Sequence, residues 1–177
     1  METIGVGIAG AGTIGAVHAA ALDEIEAAKL VAITTTREAT GRKLAETHGA
    51  EWHGEFGELL ARPDVDVVIL CTPSSLHPDQ AVAVARVGKH VITEKPMAVT
   101  LEGADRMIRA CREAGVTLSV IFQNRFNRDA LRLKRAVEAV AEVSPRVSLV
   151  LKADIRPGRT GQLAEKVERI DDLLGDS

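Results

Sequence analysis

The chain has 177 residues, a length that suits one domain with an extension and disfavours two full domains. Hydrophobic residues make up 46% and charged residues 27% of the sequence, and the 22 Lys and Arg against 25 Asp and Glu give a formal net charge of -3. This composition is typical of globular proteins, and the near balance of charge disfavours nucleic acid and membrane surfaces as partners. The aromatic content of 2% disfavours base-stacking platforms.

The sequence also contains few features of secreted or membrane-anchored proteins. Two cysteines, Cys71 and Cys111, are too few for a disulfide framework, and we expect both to be buried thiols. The first residues carry no basic segment, and no apolar run approaches the roughly 18 residues that a membrane span needs. The sequence therefore predicts an unprocessed cytoplasmic protein.

The first 125 residues alternate short β-rich apolar runs with longer stretches of helical period. The predicted strands are residues 3–9, 29–34, 66–71, 90–93 and 117–122, with a weaker one at 51–53. The predicted helices are residues 14–26, 39–48, 56–61, 78–87 and 101–114. Apolar strands that are each followed by a helix predict an α/β fold of the Rossmann type, a doubly wound parallel sheet covered on both faces.

The pattern changes after Phe126. A helix at 129–143, a strand at 146–155 and a helix at 161–174 predict a short helix-strand-helix C-terminal extension. We therefore expect one domain over residues 1–126 and an extension over 127–177 that is not an independent domain. The last helix places an apolar stripe on one face, which we expect to be buried on the first domain or across a homo-oligomer interface. This stripe consists of Leu163, Val167, Ile170 and Leu174.

A glycine-rich motif, G-A-G-T-I-G at residues 10–15, directly follows the first predicted strand and opens a helix. In this context Gly10 permits a tight turn, Gly12 lets the backbone approach a pyrophosphate, and Gly15 allows close packing of helix on strand. Thr13 and Ile14 lie in the first helical turn, where free N–H groups and the helix dipole attract phosphate. The motif predicts a dinucleotide site, and a glycine turn without a ligand is the alternative.

The end of the second predicted strand indicates which dinucleotide binds. An NAD site usually has an acidic residue about 20 residues after the glycine motif, whereas this region contains Thr35, Thr36 and Arg37. The threonine hydroxyls can donate to a 2'-phosphate and the guanidinium can pair with it, so the sequence predicts NADP. In the alternative, Arg37 is a solvated loop charge, Glu38 serves the ribose, and the cofactor is NAD.

Two further segments fall at the carboxyl ends of predicted strands, where ligands bind in open α/β sheets: C-T-P-S-S-L-H at 71–77 and T-E-K-P at 93–96. Together with the glycine motif and His18, with G-K-H-V-I-T-E-K-P-M-A at 88–98 and with Q-N-R-F at 123–126, they resemble the Gfo/Idh/MocA oxidoreductases. That family consists of NAD(P)-dependent enzymes that act mostly on sugars, inositols and related polyols. The resemblance covers approximately residues 1–155.

This resemblance implies roles for individual residues. The lysine of the E-K-P segment, Lys95, is expected beside the nicotinamide, where it assists proton transfer at the carbinol or carbonyl, and the bond between Lys95 and Pro96 is expected to be cis. Glu94 and Asn124 are expected near the nicotinamide. Contacts around the adenosine and the nicotinamide ribose are implied for Thr72, Pro73, Ser74, Leu76 and His77.

The remaining histidines do not predict a metal site. His48 and His53 have no partner at a spacing typical of metal ligands. His18, in the first helix, and His90, before the fifth strand, are interpreted as packing or capping residues. Only His77, at a strand-to-helix turn, is expected to face the cofactor crevice.

Several functional hypotheses follow. Members of the family have about twice this length. Their second domain binds substrate and supplies a catalytic Asp and His. The tail from Arg156 to Ser177 does not match any part of that domain. The first hypothesis is a working oxidoreductase that transfers hydride between NADP, or NAD, and a sugar or polyol substrate. The second is a non-catalytic dinucleotide-binding module, as a sensor, a subunit or the product of a shortened gene. A homoserine-dehydrogenase-like or dihydrodipicolinate-reductase-like domain is a lesser alternative, because those domains share the fold but not the E-K-P segment.

Overall fold

A computed structural model describes residues 3–143 of the chain, which divides into two compact units at Ile121 and Phe122. Strands and helices alternate through the first unit. The strands are β1 (Ile4–Ala9), β2 (Ala28–Thr34), β3 (Glu51–His53), β4 (Val67–Leu70), β5 (His90–Thr93) and β6 (Leu118–Val120). The helices are α1 (Thr13–Leu22), α2 (Glu38–Thr47), α3 (Phe56–Ala61), α4 (His77–Arg86) and α5 (Leu101–Glu113).

The six strands form one sheet in the order β3-β2-β1-β4-β5-β6, and every neighbouring pair is parallel. This order confirms the doubly wound Rossmann-type fold. The chain builds outward from β1 to β3 and then returns to place β4 on the other side of β1, where Ile8 pairs with both Ile33 and Ile69. Because the order reverses at β1 and β4, a crevice is expected at the carboxyl ends of these two strands.

The core has two parts because both faces of the sheet are covered by helices. Five of the six residues of β1 are buried, as a central parallel strand requires. The part that includes side chains of α1 and α2 contains Val6, Ile8, Ala19, Leu22, Leu30, Ile33, Ala45 and Ile69. The part that includes side chains of α3, α4 and α5 contains Leu59, Val68, Leu70, Ala81, Val84, Val91, Met107 and Cys111.

The clearest difference from the predicted elements is the end of α1. The helical pattern predicts a helix to residue 26, whereas α1 ends at Leu22. The N–H groups of Glu24 and Ile25 bond to carbonyl groups only three residues back, which tightens the chain into turns before β2 begins at Ala28. Ile25 is consequently exposed and does not extend the apolar face of the helix.

Core packing on α5 can be tested with two adjacent side chains. Met107 is fully buried against the sheet, whereas its neighbour Ile108 is 42% exposed. We expect Met107→Ala to lower the free energy of unfolding by about 2–5 kcal/mol, because it leaves a cavity among close-packed side chains. Ile108→Ala should cost less than about 1 kcal/mol. Urea denaturation of both variants measures the difference. Equal losses of unfolding free energy would contradict the burial of Met107 and the exposure of Ile108.

The described part of the second unit is short. It contains a 3-10 turn at Gln123–Phe126 and the helix α6 (Arg128–Val143), which confirms the predicted helix at 129–143. The predicted strand at 146–155 and the predicted helix at 161–174, with its apolar stripe, lie outside the described residues. The predicted domain boundary after residue 126 stays a prediction. Within residues 3–143, no helix combines the length and the apolar character that crossing a membrane requires.

Candidate functional site

The glycine loop between β1 and α1 forms a tight turn at the carboxyl edge of the sheet. Gly10 has a φ of 104°, in the region that favours glycine, and a Cβ there would lie 2.7 Å from the carbonyl oxygen of Cys71. A Cβ on Gly15 would lie only 2.0 Å from the carbonyl oxygen of Gly10, so α1 can begin this close to the strand only with glycine. Thr13 and Ile14 are exposed in the first turn, whose N–H groups lack acceptors within the helix.

Gly12 differs from the other two glycines of the motif because it faces open space. Its φ of -81° and ψ of -171° suit any residue, and the nearest atom to a Cβ there would be Nη2 of Arg37, at 3.7 Å. Nothing in the protein fold therefore requires glycine at this position. A glycine that the fold does not need, beside a guanidinium and a helix N-terminus, suits the close approach of a phosphate group.

The loop after β2 is held in place by Trp52. The indole N–H donates to the carbonyl oxygen of Thr35 at 3.2 Å, and the Arg37 backbone N–H donates to the Thr35 hydroxyl at 3.3 Å. Thr36 and Arg37 are exposed. Glu38, the residue that the NAD alternative assigns to the ribose, accepts a 2.7 Å hydrogen bond from Arg42, whose guanidinium lies over the Trp52 ring. Arg37 is thus placed beside the glycine loop, while Glu38 is paired with another side chain.

The loop between β4 and α4 presents Thr72, Pro73, Ser74 and Leu76 at the same edge. Pro73 and Leu76 are exposed, Thr72 and Ser74 are half-buried, and the Thr72 hydroxyl is hydrogen-bonded to the Gln80 side chain. A turn closed by the Leu76 N–H and the Pro73 carbonyl oxygen, 2.9 Å apart, shapes the loop. These four residues follow the carboxyl end of β4, and their expected contacts with a nucleotide stay a prediction.

The predicted orientation of His77 is wrong. The sequence predicts that it faces the crevice, whereas the imidazole is 1% exposed and lies between two loops. Its Nε2 is 2.9 Å from the Thr72 carbonyl oxygen, and its Nδ1 is 3.1 Å from the Thr93 hydroxyl and 3.2 Å from the Pro96 carbonyl oxygen. Because both ring nitrogens are occupied by protein groups, His77 joins the loop after β4 to the E-K-P segment and does not present its ring to a ligand.

The E-K-P segment follows β5 and contains the Lys95 side chain, which is exposed. The bond between Lys95 and Pro96 is cis, as the resemblance implies. Glu94 is only 8% exposed, and its carboxylate accepts a 3.1 Å hydrogen bond from the Lys95 backbone N–H. The other carboxylate oxygen of Glu94 lies 2.9 Å from Nε2 of His18, on α1.

His18 is the residue of this site that the sequence interpretation missed. It was expected to pack or cap, yet its ring contacts a buried carboxylate beside Lys95. A signal was present in the sequence: His18 is the only ionisable residue in α1, whose other residues after the first turn are apolar. A polar side chain at a partly buried position needs a polar partner, and the sequence alone does not say which strand supplies it.

Cys71, directly after β4, is half-buried and not fully buried as predicted, whereas Cys111 is buried as predicted. Burial, reinforced by the negative charge of Glu94, raises the pKa of Cys71 from 9.0 to about 12. Burial also raises the pKa of Cys111. The native state therefore favours the neutral thiol at Cys71, and this contribution to stability is complete below pH 9 and is lost as the pH rises towards 12.

Alkylation at pH 9 tests this environment. We expect iodoacetamide to modify Cys71 roughly two to three orders of magnitude more slowly in the native chain than in urea, because the thiolate is the reactive form. Peptide mapping distinguishes the two cysteines. Glu94→Gln should increase the native rate only modestly, since burial is the larger cause of the shift. Similar rates in the native and the unfolded chain would contradict the assignment.

Asn124 is exposed in the second unit, on the 3-10 turn at Gln123–Phe126, and its expected place near the nicotinamide stays a prediction.

Among residues 3–143, no three His, Cys, Asp or Glu side chains lie close enough together to hold a metal ion.

The fold and the glycine loop define a nucleotide-binding Rossmann domain, and comparison with known proteins identifies its family. Residues 4–122 match the family model of the Gfo/Idh/MocA oxidoreductases, described as an oxidoreductase family with an NAD-binding Rossmann fold. The chain belongs to this family, and its first unit is an NAD(P)-binding domain.

Individual relatives agree with this assignment. A myo-inositol 2-dehydrogenase from Thermotoga maritima is 37% identical over 153 residues, which cover 86% of this chain and 46% of the relative. The scyllo-inositol 2-dehydrogenase (NADP(+)) IolW from Bacillus subtilis is 37% identical over 138 residues, 77% of this chain and 38% of the relative. A crystal structure of the WlbA dehydrogenase from Bordetella pertussis in complex with NADH and UDP-GlcNAcA superposes with a TM-score of 0.75 at 39% identity, covering 78% of this chain and 40% of the other. The chain thus spans less than half the length of these relatives.

Proposed function

We propose that this chain binds NADP(H) and serves an oxidoreductase that transfers hydride between the nicotinamide and a carbinol or carbonyl carbon of a sugar or polyol. The position of Arg37 beside Gly12 carries the cofactor part of the proposal. A pyrophosphate on the first turn of α1 requires the backbone at Gly12 to be accessible, and a 2'-phosphate in the same region needs a cation. Arg37 supplies that cation, and Thr35 and Thr36 supply hydroxyl groups. None of these three residues carries a carboxylate that would repel the 2'-phosphate.

The choice of NADP over NAD is a separate step. The name of one relative specifies NADP(+), whereas a related structure contains NADH, so relatedness does not decide between the two cofactors. The pairing of Glu38 with Arg42 supports NADP, because the carboxylate that would serve an NAD ribose is already engaged. Both side chains are exposed, so this pair adds little stability, and it supports the choice of NADP less strongly than the position of Arg37 does.

The remaining cofactor contacts follow the edge of the sheet. We infer that Gly10, Gly12, Thr13, Ile14 and Gly15 surround the pyrophosphate. The loop after β4 lies along the nucleotide with Thr72, Pro73, Ser74 and Leu76, which are exposed or half-buried there. Glu94 and Lys95 are proposed for the nicotinamide end, whereas His77 acts by holding the loops together.

The chemistry divides between the cofactor and the protein. The nicotinamide, when bound, accepts or donates the hydride. Lys95 is proposed to move the proton: in the oxidation direction its neutral amine accepts the proton of the substrate hydroxyl, and in the reduction direction its ammonium returns that proton to the carbonyl oxygen. The exposed side chain of Lys95, fixed at its backbone by the Glu94 carboxylate, is free to reach a ligand at the sheet edge.

An activity panel tests the role of Lys95. Inositols, aldoses and sugar acids are assayed with NADP and NAD, using the parent chain, Lys95→Ala and the exposed-lysine control Lys43→Ala. We expect little turnover from the chain alone, because it lacks most of the family's substrate domain. Any turnover with a sugar or polyol should fall by about 10²- to 10⁴-fold in Lys95→Ala and persist in Lys43→Ala. Cofactor binding without turnover on any substrate would instead favour the non-catalytic module.

A cytoplasmic location and a homo-oligomeric state belong to the same proposal.

A further inference from the structure

The contact between His18 and Glu94 joins two distant segments of the chain at one edge of the sheet. His18 lies in the second turn of α1, the helix that begins at the glycine loop, and Glu94 lies directly after β5. The imidazole Nε2 and the carboxylate Oε1 are 2.9 Å apart, with side chains 18% and 10% exposed. The contact therefore connects the helix expected at the pyrophosphate to the segment expected at the nicotinamide.

Both oxygens of the Glu94 carboxylate are engaged. Oε1 faces His18, and Oε2 accepts the hydrogen bond from the Lys95 backbone N–H. The Glu94 backbone is also fixed, because its N–H donates to the Leu70 carbonyl oxygen at 3.0 Å. Since a buried carboxylate oxygen that loses its hydrogen-bond donor must turn towards water, the orientation of Glu94 depends on His18.

Stability alone does not explain this pair. A buried polar pair is often no more stabilising than well-packed apolar side chains of similar volume, and α1 is otherwise apolar after its first turn. Apolar side chains could not provide the acceptor that holds the Lys95 N–H. The His18–Glu94 pair is therefore explained by the position that it gives to the Lys95 backbone.

We propose that His18 is a positioning residue, which holds the Glu94 carboxylate so that it fixes the backbone of Lys95 and sets the Lys95 amine against the nicotinamide. This inference rests on the proposed function, in which Lys95 lies beside the cofactor. It predicts that loss of the imidazole displaces the amine while leaving the adenosine end of the site, with Arg37 and the glycine loop, unchanged.

Acylation of lysines tests the inference directly. The parent chain, His18→Ala and His18→Gln are treated with limiting acetic anhydride, with and without saturating NADP⁺, and the modification of each lysine is measured by mass spectrometry. We expect NADP⁺ to slow acylation of Lys95 by about tenfold in the parent chain and by less than about twofold in His18→Ala. His18→Gln, which keeps a side-chain N–H donor, should restore part of the protection. The exposed Lys29 and Lys43 serve as internal controls.

Binding of 2',5'-ADP, which lacks the nicotinamide, separates positioning from general damage. His18→Ala should bind 2',5'-ADP as the parent chain does, and His18→Leu, which keeps apolar bulk, provides the same comparison if the alanine variant fails to fold. Full protection of Lys95 in folded His18→Ala or His18→Leu, which lack a side-chain donor, would overturn the inference and leave the proposed function intact. Absence of NADP⁺ binding, or of Lys95 protection, in the parent chain would instead overturn the proposed function.

Discussion

Gly12→Val should reduce NADPH affinity by at least about two orders of magnitude, roughly 3 kcal/mol, while the chain remains folded. The valine side chain would occupy the space through which a pyrophosphate approaches the first turn of α1. The backbone at Gly12 has an extended conformation that valine adopts without strain, and its nearest neighbour is the exposed Arg37 side chain at 3.7 Å. The melting temperature should therefore fall by a few degrees at most, since the position is only a helix N-cap.

A matched control is available at Gly57, on α3, where a Cβ would meet no atom within 4 Å. Gly57→Val introduces the same side chain away from the glycine loop and should leave NADPH affinity unchanged. Fluorescence titration and thermal melting of both variants complete the comparison. If Gly12→Val binds NADPH as the parent chain does, the loop is a turn and not a phosphate site.

Arg37→Ala should weaken NADPH binding by roughly 10- to 150-fold and leave NADH binding nearly unchanged. Hydrogen bonds to a charged group contribute about 1.5–3 kcal/mol, and only NADPH carries the 2'-phosphate that Arg37 would bind. Arg37→Lys keeps the charge but loses the planar fork, so it should retain part of the preference. Titration of each variant with both cofactors measures the effect separately from stability.

The control for this prediction is Arg86→Ala. Arg86 is exposed in the last turn of α4, so the variant removes one positive charge away from the β2–α2 loop. Unchanged NADPH affinity in Arg86→Ala, together with the loss in Arg37→Ala, would exclude a general effect of net charge. Equal losses for NADPH and NADH in Arg37→Ala would contradict an interaction with the 2'-phosphate.

The sheet could be predicted from the sequence because its strands are short apolar runs separated by helices of regular period. The glycine loop was predictable for a related reason: its turn, its helix start and its preceding strand are adjacent in the chain. The end of α1 was less predictable. Its apolar pattern continues to residue 26, and the helix stops earlier because the chain must reverse to place Ala28 beside Ile4.

The long-range parts of the site could not be predicted in the same way. His18 and Glu94 are 76 residues apart in sequence, and their contact depends on how α1 packs on the sheet, which brings His18 to the end of β5. His77 was misassigned because a histidine at a strand-to-helix turn can face either a ligand or the protein interior. The choice is decided by Thr93 and Pro96, which reach its ring from the next strand and the loop after it.

Titration of the parent chain with NADPH and with NADH, followed by nicotinamide fluorescence at one fixed salt concentration, tests the central claim most directly. The geometry of Arg37, Thr35 and Thr36 beside the glycine loop predicts that NADPH binds at least about tenfold more tightly than NADH, a difference of about 1.4 kcal/mol. Equal affinities or a preference for NADH would contradict the assignment of the 2'-phosphate site, and binding of neither cofactor would contradict the dinucleotide site itself.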